Sequence, residues 1–395
     1  MNPTKSARLR DPLSRFYSAA AVGRVVAASV PDPAPKVVVD LGSGSGVLAA
    51  AASARWPGAR VTTVDVDPSA LGASIRLGLE HVDADIADPG LPAQLGEGGA
   101  DVVLSNPPFG GNPPASAFEA IMAASGLGAA GNVAPSLEML FAAQALRLAK
   151  PGGTVVLVLS DGFATGRRSA PVRRALLASH RVVSVTQMPA GSFRGTEARG
   201  FVLTLVKDAP PADGVVLRRN DGGVDHPPIR VQAPEAAERL DHGFHAAMRS
   251  GRGGVTLEAL GASIVRGSAE TRHAGLACGA VFHTKDFPVG DRRRSVSLRG
   301  GHQGRPERGL VVAERGDVLV ARLGRGLEHK VCLVVEGWAV PTSAVLRVRM
   351  PAGGGDAVAE ALLSREGAIR LAGTARGTGA RMLGRADLLA MPLPL

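Results

Sequence analysis

Cysteine is nearly missing from this chain: among 395 residues there are two, Cys278 and Cys332. Two isolated thiols are too few for a disulfide framework or a zinc cluster. The nine histidines show no metal-ligand spacing, so no metal is expected. Long apolar runs are missing as well. Runs such as Val155 to Leu159 are strand-sized, and none approaches the ~20 residues of a membrane span. The opening "MNPTKSARLR" is basic, but "DPLSRF" follows it where a signal peptide would have an apolar core. A soluble, cytoplasmic protein is expected. No internal repeat is visible.

Acid is in short supply, 35 Asp and Glu against 45 Lys and Arg, for a net charge of +10. The deficit is uneven. Residues 1–210 hold 19 basic and 16 acidic side chains, and residues 211–395 hold 26 and 19. A basic second half suits a polyanionic partner.

The length predicts two domains. In the first half strands and helices alternate. "KVVVDLGSG" reads as strand then glycine turn, "VLAAAASARW" as helix, "ARVTTVDVDP" as strand, Pro68 to Leu79 as helix and "ADVVLSNPP" as strand. Ser136 can cap a helix carrying Leu137, Leu140, Phe141 and Leu148. "GTVVLVLS" and "APVRRALLASH" follow as strand and helix. "RVVSVTQMP" and "GFVLTLVKD" then lie too close for a crossover helix, which predicts antiparallel pairing. The pattern implies a doubly wound sheet with ligands at the carboxyl ends of its strands. Gly110 to Pro135 reads as a loop. After Lys207 come turn-rich text, shorter strands and one helical segment, Asp356 to Leu371, as in a separate α+β domain. The expected domains are 1–210 and 211–395.

Four features carry chemistry. Asp40-Leu41-Gly42-Ser43-Gly44-Ser45-Gly46 follows the first strand and opens a helix, where glycines let a ligand approach backbone amides. Asp65 ends the second strand, where a carboxylate can take ribose hydroxyls; Asp67 is its near rival. Asp85 can accept from an adenine amino group. Asn106-Pro107-Pro108-Phe109 ends a buried strand. Its prolines fix the backbone and aim the Asn106 side-chain oxygen and the Pro107 carbonyl at one point. Two converging acceptors suit a planar exocyclic amine, and Phe109 can stack on the ring that bears it.

With these motifs in this order, the chain resembles the gamma-class, adenine-N6 DNA methyltransferases that use S-adenosyl-L-methionine. More narrowly it resembles a type I restriction modification subunit fused to a specificity-subunit-like target recognition domain. The resemblance implies a class I, Rossmann-like fold with a mixed seven-stranded sheet and a second α+β domain. "SRFYSAAAVGRVVA" is similar to the family's N-terminal cofactor motif, with Phe16-Tyr17-Ser18-Ala19 where relatives carry Phe/Tyr-Thr-Pro. Cofactor contacts are thereby implied for Phe16, Tyr17, Asp40, Gly42, Gly44, Gly46, Asp65, Asp85 and Asn106. "MPAGSFRGTEARGFVLTLV" places Phe193 where relatives hold an aromatic against the flipped base; a core Phe is the other reading. "ERLDHGFH", "LEALGASIVRGS" and "GTGARMLGRADLLAMPLPL" look like pieces of a recognition domain. Arg292, Arg293, Arg294, Arg322 and Arg325 would there meet double-stranded DNA.

The implied reaction flips the base, lets Asn106 and Pro107 accept from N6, and transfers the methyl group directly. No Pro-Cys dipeptide is present, which argues against cytosine-C5 chemistry. A cognate endonuclease would be a separate chain. Three rivals stay open. RNA or protein N-methyltransferases share Asn-Pro-Pro-Phe. Asp317 with Glu328-His329-Lys330 mimics a nuclease metal site. A specificity protein without catalysis is the third.

Overall fold

The computed structural model describes residues 20–31, 34–131, 133–189, 191–193, 199–222, 224–251, 253–269, 280–288, 295–298, 309–351, 353–377 and 379–395. Phe16, Tyr17, Arg292, Arg293, Arg294 and Cys278 lie outside them. The chain forms two compact units, Met1–His242 and Gly243–Leu395.

The first unit is built on one sheet of nine strands: β1 (Val37–Leu41), β2 (Arg60–Asp65), β3 (Glu80–Asp83), β4 (Ala100–Ser105), β5 (Ala149–Ser160), β6 (Arg181–Gln187), β7 (Gly200–Val206), β8 (Val215–Arg219) and β9 (Ile229–Val231). Their order is β3-β2-β1-β4-β5-β7-β6-β8-β9. Strands β1 to β5 are parallel, and β7 runs antiparallel to both β5 and β6, as the short link predicts. The seven expected strands are therefore present, and β8 and β9 lengthen the sheet beyond β6. That corrects the boundary at 210. Val215 and Leu217 are buried against the sheet, so the first unit cannot end before them.

The central strands are apolar throughout. Val38, Val39, Val102, Val103, Leu104, Val155 and Val156 are at most 3% exposed, which suits strands covered on both faces. After β1 the chain goes outward to β2 and β3, then returns across β1 to place β4 on its other side. The crevice at such a reversal receives ligands in open α/β sheets. Gly110 to Pro135 is not all loop: Ala115–Ala124 is a helix whose Phe118, Ile121 and Met122 are buried. Gly- and Ala-rich text hid that spacing.

The second unit is α+β. Its five-stranded sheet orders Ser263–Arg266, Val345–Arg349, Val318–Ala321, Val331–Glu336 and Ser295–Ser297. The helical segment near the end is two helices, Gly355–Leu363 and Arg365–Thr374. Ser364 leaves helical geometry between them, and its Oγ accepts the Gly367 N–H at 3.0 Å. A serine cap at mid-segment starts a new helix. Among the described residues no helix is long and apolar enough to cross a membrane.

Candidate active site

The site begins at the paired ends of β1 and β4. Leu41 is opposite Ser105 in register, so Gly42 and Asn106 leave the sheet side by side. Ser105 Oγ donates to the Leu41 carbonyl at 2.6 Å and ties the two ends together. Gly42 and Ser43 donate their N–H groups to the Val64 carbonyl at 2.8 and 3.0 Å. Gly42, Gly44 and Gly46 all have positive φ, 74°, 49° and 77°, a region costly for side chains with a β carbon. At Gly42 space is short as well: a β carbon there would stand 2.7 Å from the Phe141 ring. At Gly44 a β carbon would meet nothing within 4 Å, so this glycine faces open space.

Two carboxylates organise that loop. Asp65 Oδ2 accepts the Gly44 N–H at 2.7 Å and Oδ1 accepts the Asp67 N–H at 2.9 Å. Asp67 caps the helix Pro68–Leu77, accepting from Ser69 N at 2.9 Å, which favours Asp65 over its rival as the ligand-facing acid. Asp40 is fully buried, and its Oδ2 accepts the Ala49 N–H at 2.9 Å in the first turn of the helix Val47–Arg55. Burial pushes the Asp40 carboxyl up to about 7; the Ala49 bond opposes the rise and the Asp65 charge adds to it. Asp40 Oδ1 and Ser43 Oγ are buried with no hydrogen-bond partner among the described residues. A glycine loop with open space and orphaned polar atoms fits a polar, amide-seeking ligand.

A cleft of about 40 Å³ continues from this loop, lined by Leu41, Gly42, Val64, Asp65, Val66, Ala84, Ile86 and Phe141. Asp85 stands between two of the lining residues. It is exposed, and its Oδ1 accepts the Ala87 N–H at 2.8 Å.

Across β1, Asn106 and Phe109 are half-buried and Pro107 is buried. The Phe109 ring meets Phe193 edge-on, with centroids 5.4 Å apart and planes at 73°. Phe193 is 1% exposed, packed in a core with Val22, Val26, Met188 and Val202. A β carbon at Gly200 would fall 2.3 Å from its ring. Phe193 is thus a core residue that backs Phe109, and it offers no face to a base in this structure. The expectation that it does so is corrected, because closure of the β6–β7 pair encloses the ring.

Residues missed in the sequence tie together the ends of β5 and β7. Glu138 Oε1 and Oε2 accept from Ser160 N and Oγ at 2.7 and 2.8 Å, joining the helix Leu137–Leu148 to the end of β5. Burial pushes the Glu138 carboxyl up, against the Ser160 bonds. Arg199 pairs with Asp161 at 2.5 Å beside the start of β7. Both pairs join positions far apart in the chain, so no local pattern signals them. In the second unit Asp317 gives both carboxylate oxygens to Arg349 at 2.7 Å. The acid of the nuclease-like pattern is therefore already engaged in an ion pair.

Residues 21–133 match the model of the methyltransferase small domain, and residues 80–225 match that of the N-6 DNA methylases. The first unit is an S-adenosylmethionine-dependent methyltransferase domain. Its methyl donor is accordingly S-adenosyl-L-methionine, and its resemblance to the adenine-N6 methylases holds over residues 80–225. Ribosomal RNA small subunit methyltransferase C of Pseudomonas entomophila (strain L48) is 42% identical over 74 residues, 18% of this chain and 22% of the relative. Release factor glutamine methyltransferase of Mycolicibacterium smegmatis (strain ATCC 700084 / mc(2)155) is 39% identical over 85 residues, 20% and 28% of the two chains. The matched part of this chain spans less than a third of either relative. The solved type IIG restriction endonuclease BpuSI superposes with a TM-score of 0.51 at 13% identity, covering 96% of this chain and 58% of its own. At that identity the likeness is one of fold.

Proposed function

We propose that this chain is a site-specific DNA adenine-N6 methyltransferase of a restriction-modification or related defence system. The observation that carries the proposal is Asn106-Pro107-Pro108-Phe109 at the carboxyl end of β4, beside the glycine loop of β1, within the stretch matching the N-6 DNA methylases. Gly42, Gly44, Gly46 and Asp65 would hold S-adenosyl-L-methionine, with Asp40 fixing the helix behind them and Asp85 at the rim. The bound sulfonium supplies the methyl group. Asn106 Oδ1 and the Pro107 carbonyl accept the two N–H groups of a flipped adenine and stabilise positive charge as it develops on nitrogen. Phe109 takes one face of the base, held by Phe193 behind it. Direct transfer asks for no nucleophilic side chain.

The second unit, Gly243–Leu395, is proposed as the target recognition domain for double-stranded DNA, with any restriction endonuclease subunit a separate chain. Its basic charge and the full-length likeness of fold are in keeping with that role. The RNA and protein methyltransferase relatives favour a second reading, methylation of RNA or protein by the same site. Labelled S-adenosyl-L-methionine presented with duplex DNA, structured RNA or a cell protein extract separates the two. Label entering DNA as N6-methyladenine supports the first; label entering RNA or protein alone overturns it.

A further inference from the structure

Three buried or half-buried arginines of the second unit are matched by acid. Arg349 pairs with Asp317 and Glu314, Arg370 with Glu366, and Arg376 with Asp387. Arg266, which is exposed, and Arg322, which is half-buried, converge instead on one neutral acceptor. Arg266 ends the strand Ser263–Arg266, and Arg322 directly follows the strand Val318–Ala321. Arg266 Nε and an Arg322 terminal nitrogen donate to the same acceptor, the Ser343 carbonyl, each at 3.3 Å. The other Arg322 terminal nitrogen donates to Met382 Sδ at 3.6 Å. Neither guanidinium has a carboxylate partner among the described residues. Burial, then the charge of Arg266, pull the Arg322 guanidinium below its ordinary value.

One carbonyl does not account for two arginines. Each guanidinium presents five N–H donors, and most of the ten are left over. Two like charges meeting at one neutral oxygen repel each other, and among the described residues no carboxylate pairs with either of them. The surroundings extend the pattern. Leu323–Gly324 pairs with Arg381–Met382 as a short two-stranded ribbon beside Arg322, and Leu323 and Met382 are 38% and 42% exposed. A β carbon at Gly324 would lie 3.7 Å from Lys330 Nζ, so a third cation, without an acidic partner among the described residues, stands over the same ribbon.

We propose that Arg266 and Arg322 form a clamp for one backbone phosphate of duplex DNA, with Lys330 flanking it. A planar fork from each side matches phosphate oxygens and removes the repulsion between the two cations. The adjoining ribbon then runs along the groove edge, where a two-stranded ribbon fits. The inference rests on the proposed reading of the second unit as a DNA-recognition domain. It adds Arg266, and it gives Arg322 a positioning role toward the backbone and not toward a base.

The test uses the full chain. Affinity for a fluorescein-labelled duplex containing the methylated site is measured by anisotropy across a salt series, for wild type, Arg266→Gln, Arg322→Gln, the double Gln variant and the double Lys variant. Thermal melts confirm folding, and S-adenosyl-L-methionine titration confirms the first unit. Loss of one phosphate contact should weaken binding about tenfold at low salt and flatten the log–log salt slope by about 0.9. The loss should be equal on specific and unrelated duplexes. The double Lys variant should keep most of the slope and lose part of the affinity. Wild-type affinity and slope in a folded double Gln variant would overturn the clamp alone. A wild-type chain that binds no duplex, or binds RNA in preference, would overturn the DNA reading and the clamp with it. A loss confined to one target sequence would make the pair a base contact and refute the phosphate assignment.

Discussion

At the scale of single residues, Asn106 and Asp40 divide chemistry from cofactor support. Asn106→Ala removes the acceptor for the developing charge. The rate of methylation should fall by about 3 kcal/mol of transition-state stabilisation or more, with S-adenosyl-L-methionine affinity nearly intact. Single-turnover methylation and calorimetric titration read the two quantities separately, and near wild-type turnover would refute the assignment. Asp65→Ala should do the reverse. It frees the Gly44 N–H from its acceptor and weakens cofactor binding, with DNA affinity unchanged. Asp40 carries a pH signature. Its folded pKa, about 7, lies above its unfolded value, so its contribution to stability is full below pH ~4 and disappears as pH rises through 7. The swing is on the order of 4 kcal/mol in the ligand-free protein. Urea unfolding at pH 5 and pH 8 should show about 2.5 kcal/mol of that fall in wild type and a much smaller one in Asp40→Asn. Equal pH dependence in both would place the titration elsewhere.

At the scale of elements, the glycine loop links fold and site. Gly42 and Gly44 share positive φ but differ in surroundings. Ala at Gly44 meets only the backbone penalty, about 1–2 kcal/mol, and adds a methyl group on the ligand side. Ala at Gly42 meets the same penalty and must also displace the Phe141 ring. Gly42→Ala should therefore lower the melting temperature more than Gly44→Ala. Gly44→Ala should lose more cofactor affinity per degree of stability lost. Calorimetry beside thermal melts distinguishes the two patterns, and equal effects would mean that Phe141 yields freely. The loop itself was legible in the sequence, because G-x-G-x-G after an apolar run stood in order with Asp65 and Asn106-Pro107-Pro108-Phe109. The ring packed against it was not, because Phe141 lies on a helix that reaches the loop only through the sheet order.

At the scale of the whole molecule, the boundary between units has a measurable consequence. A chain cut after residue 210 loses β8 and β9 and bares the edge of β6, including the surfaces that bury Val215 and Leu217. A chain cut after His242 keeps them. The 1–242 fragment should melt cooperatively and bind S-adenosyl-L-methionine. The 1–210 fragment should be several degrees less stable and more prone to associate through its open edge. The 1–242 fragment should also methylate DNA without preference for sequence, if target choice resides in the second unit. Methylation of mixed-sequence DNA by that fragment is the check. Retained site choice would move recognition into the first unit.

By itself the sequence determined what depends on neighbours along the chain. The glycine turn needs positive φ within a few residues, Asn106-Pro107-Pro108 stops a strand because proline cannot extend it, and alternation of apolar runs dictates a doubly wound sheet. The antiparallel β6–β7 pair was equally local, since its link is too short for a crossover. Tertiary structure alone decided which of these meet. Strand register put Gly42 beside Asn106. Sheet closure buried Phe193 behind Phe109, and strand pairing drew β8 and β9 into the first unit. The same folding brought Arg266 and Arg322 to one carbonyl. Each is a contact between segments distant in the chain. Such contacts follow from burial and pairing energies summed over the whole sheet, which no short stretch of sequence encodes.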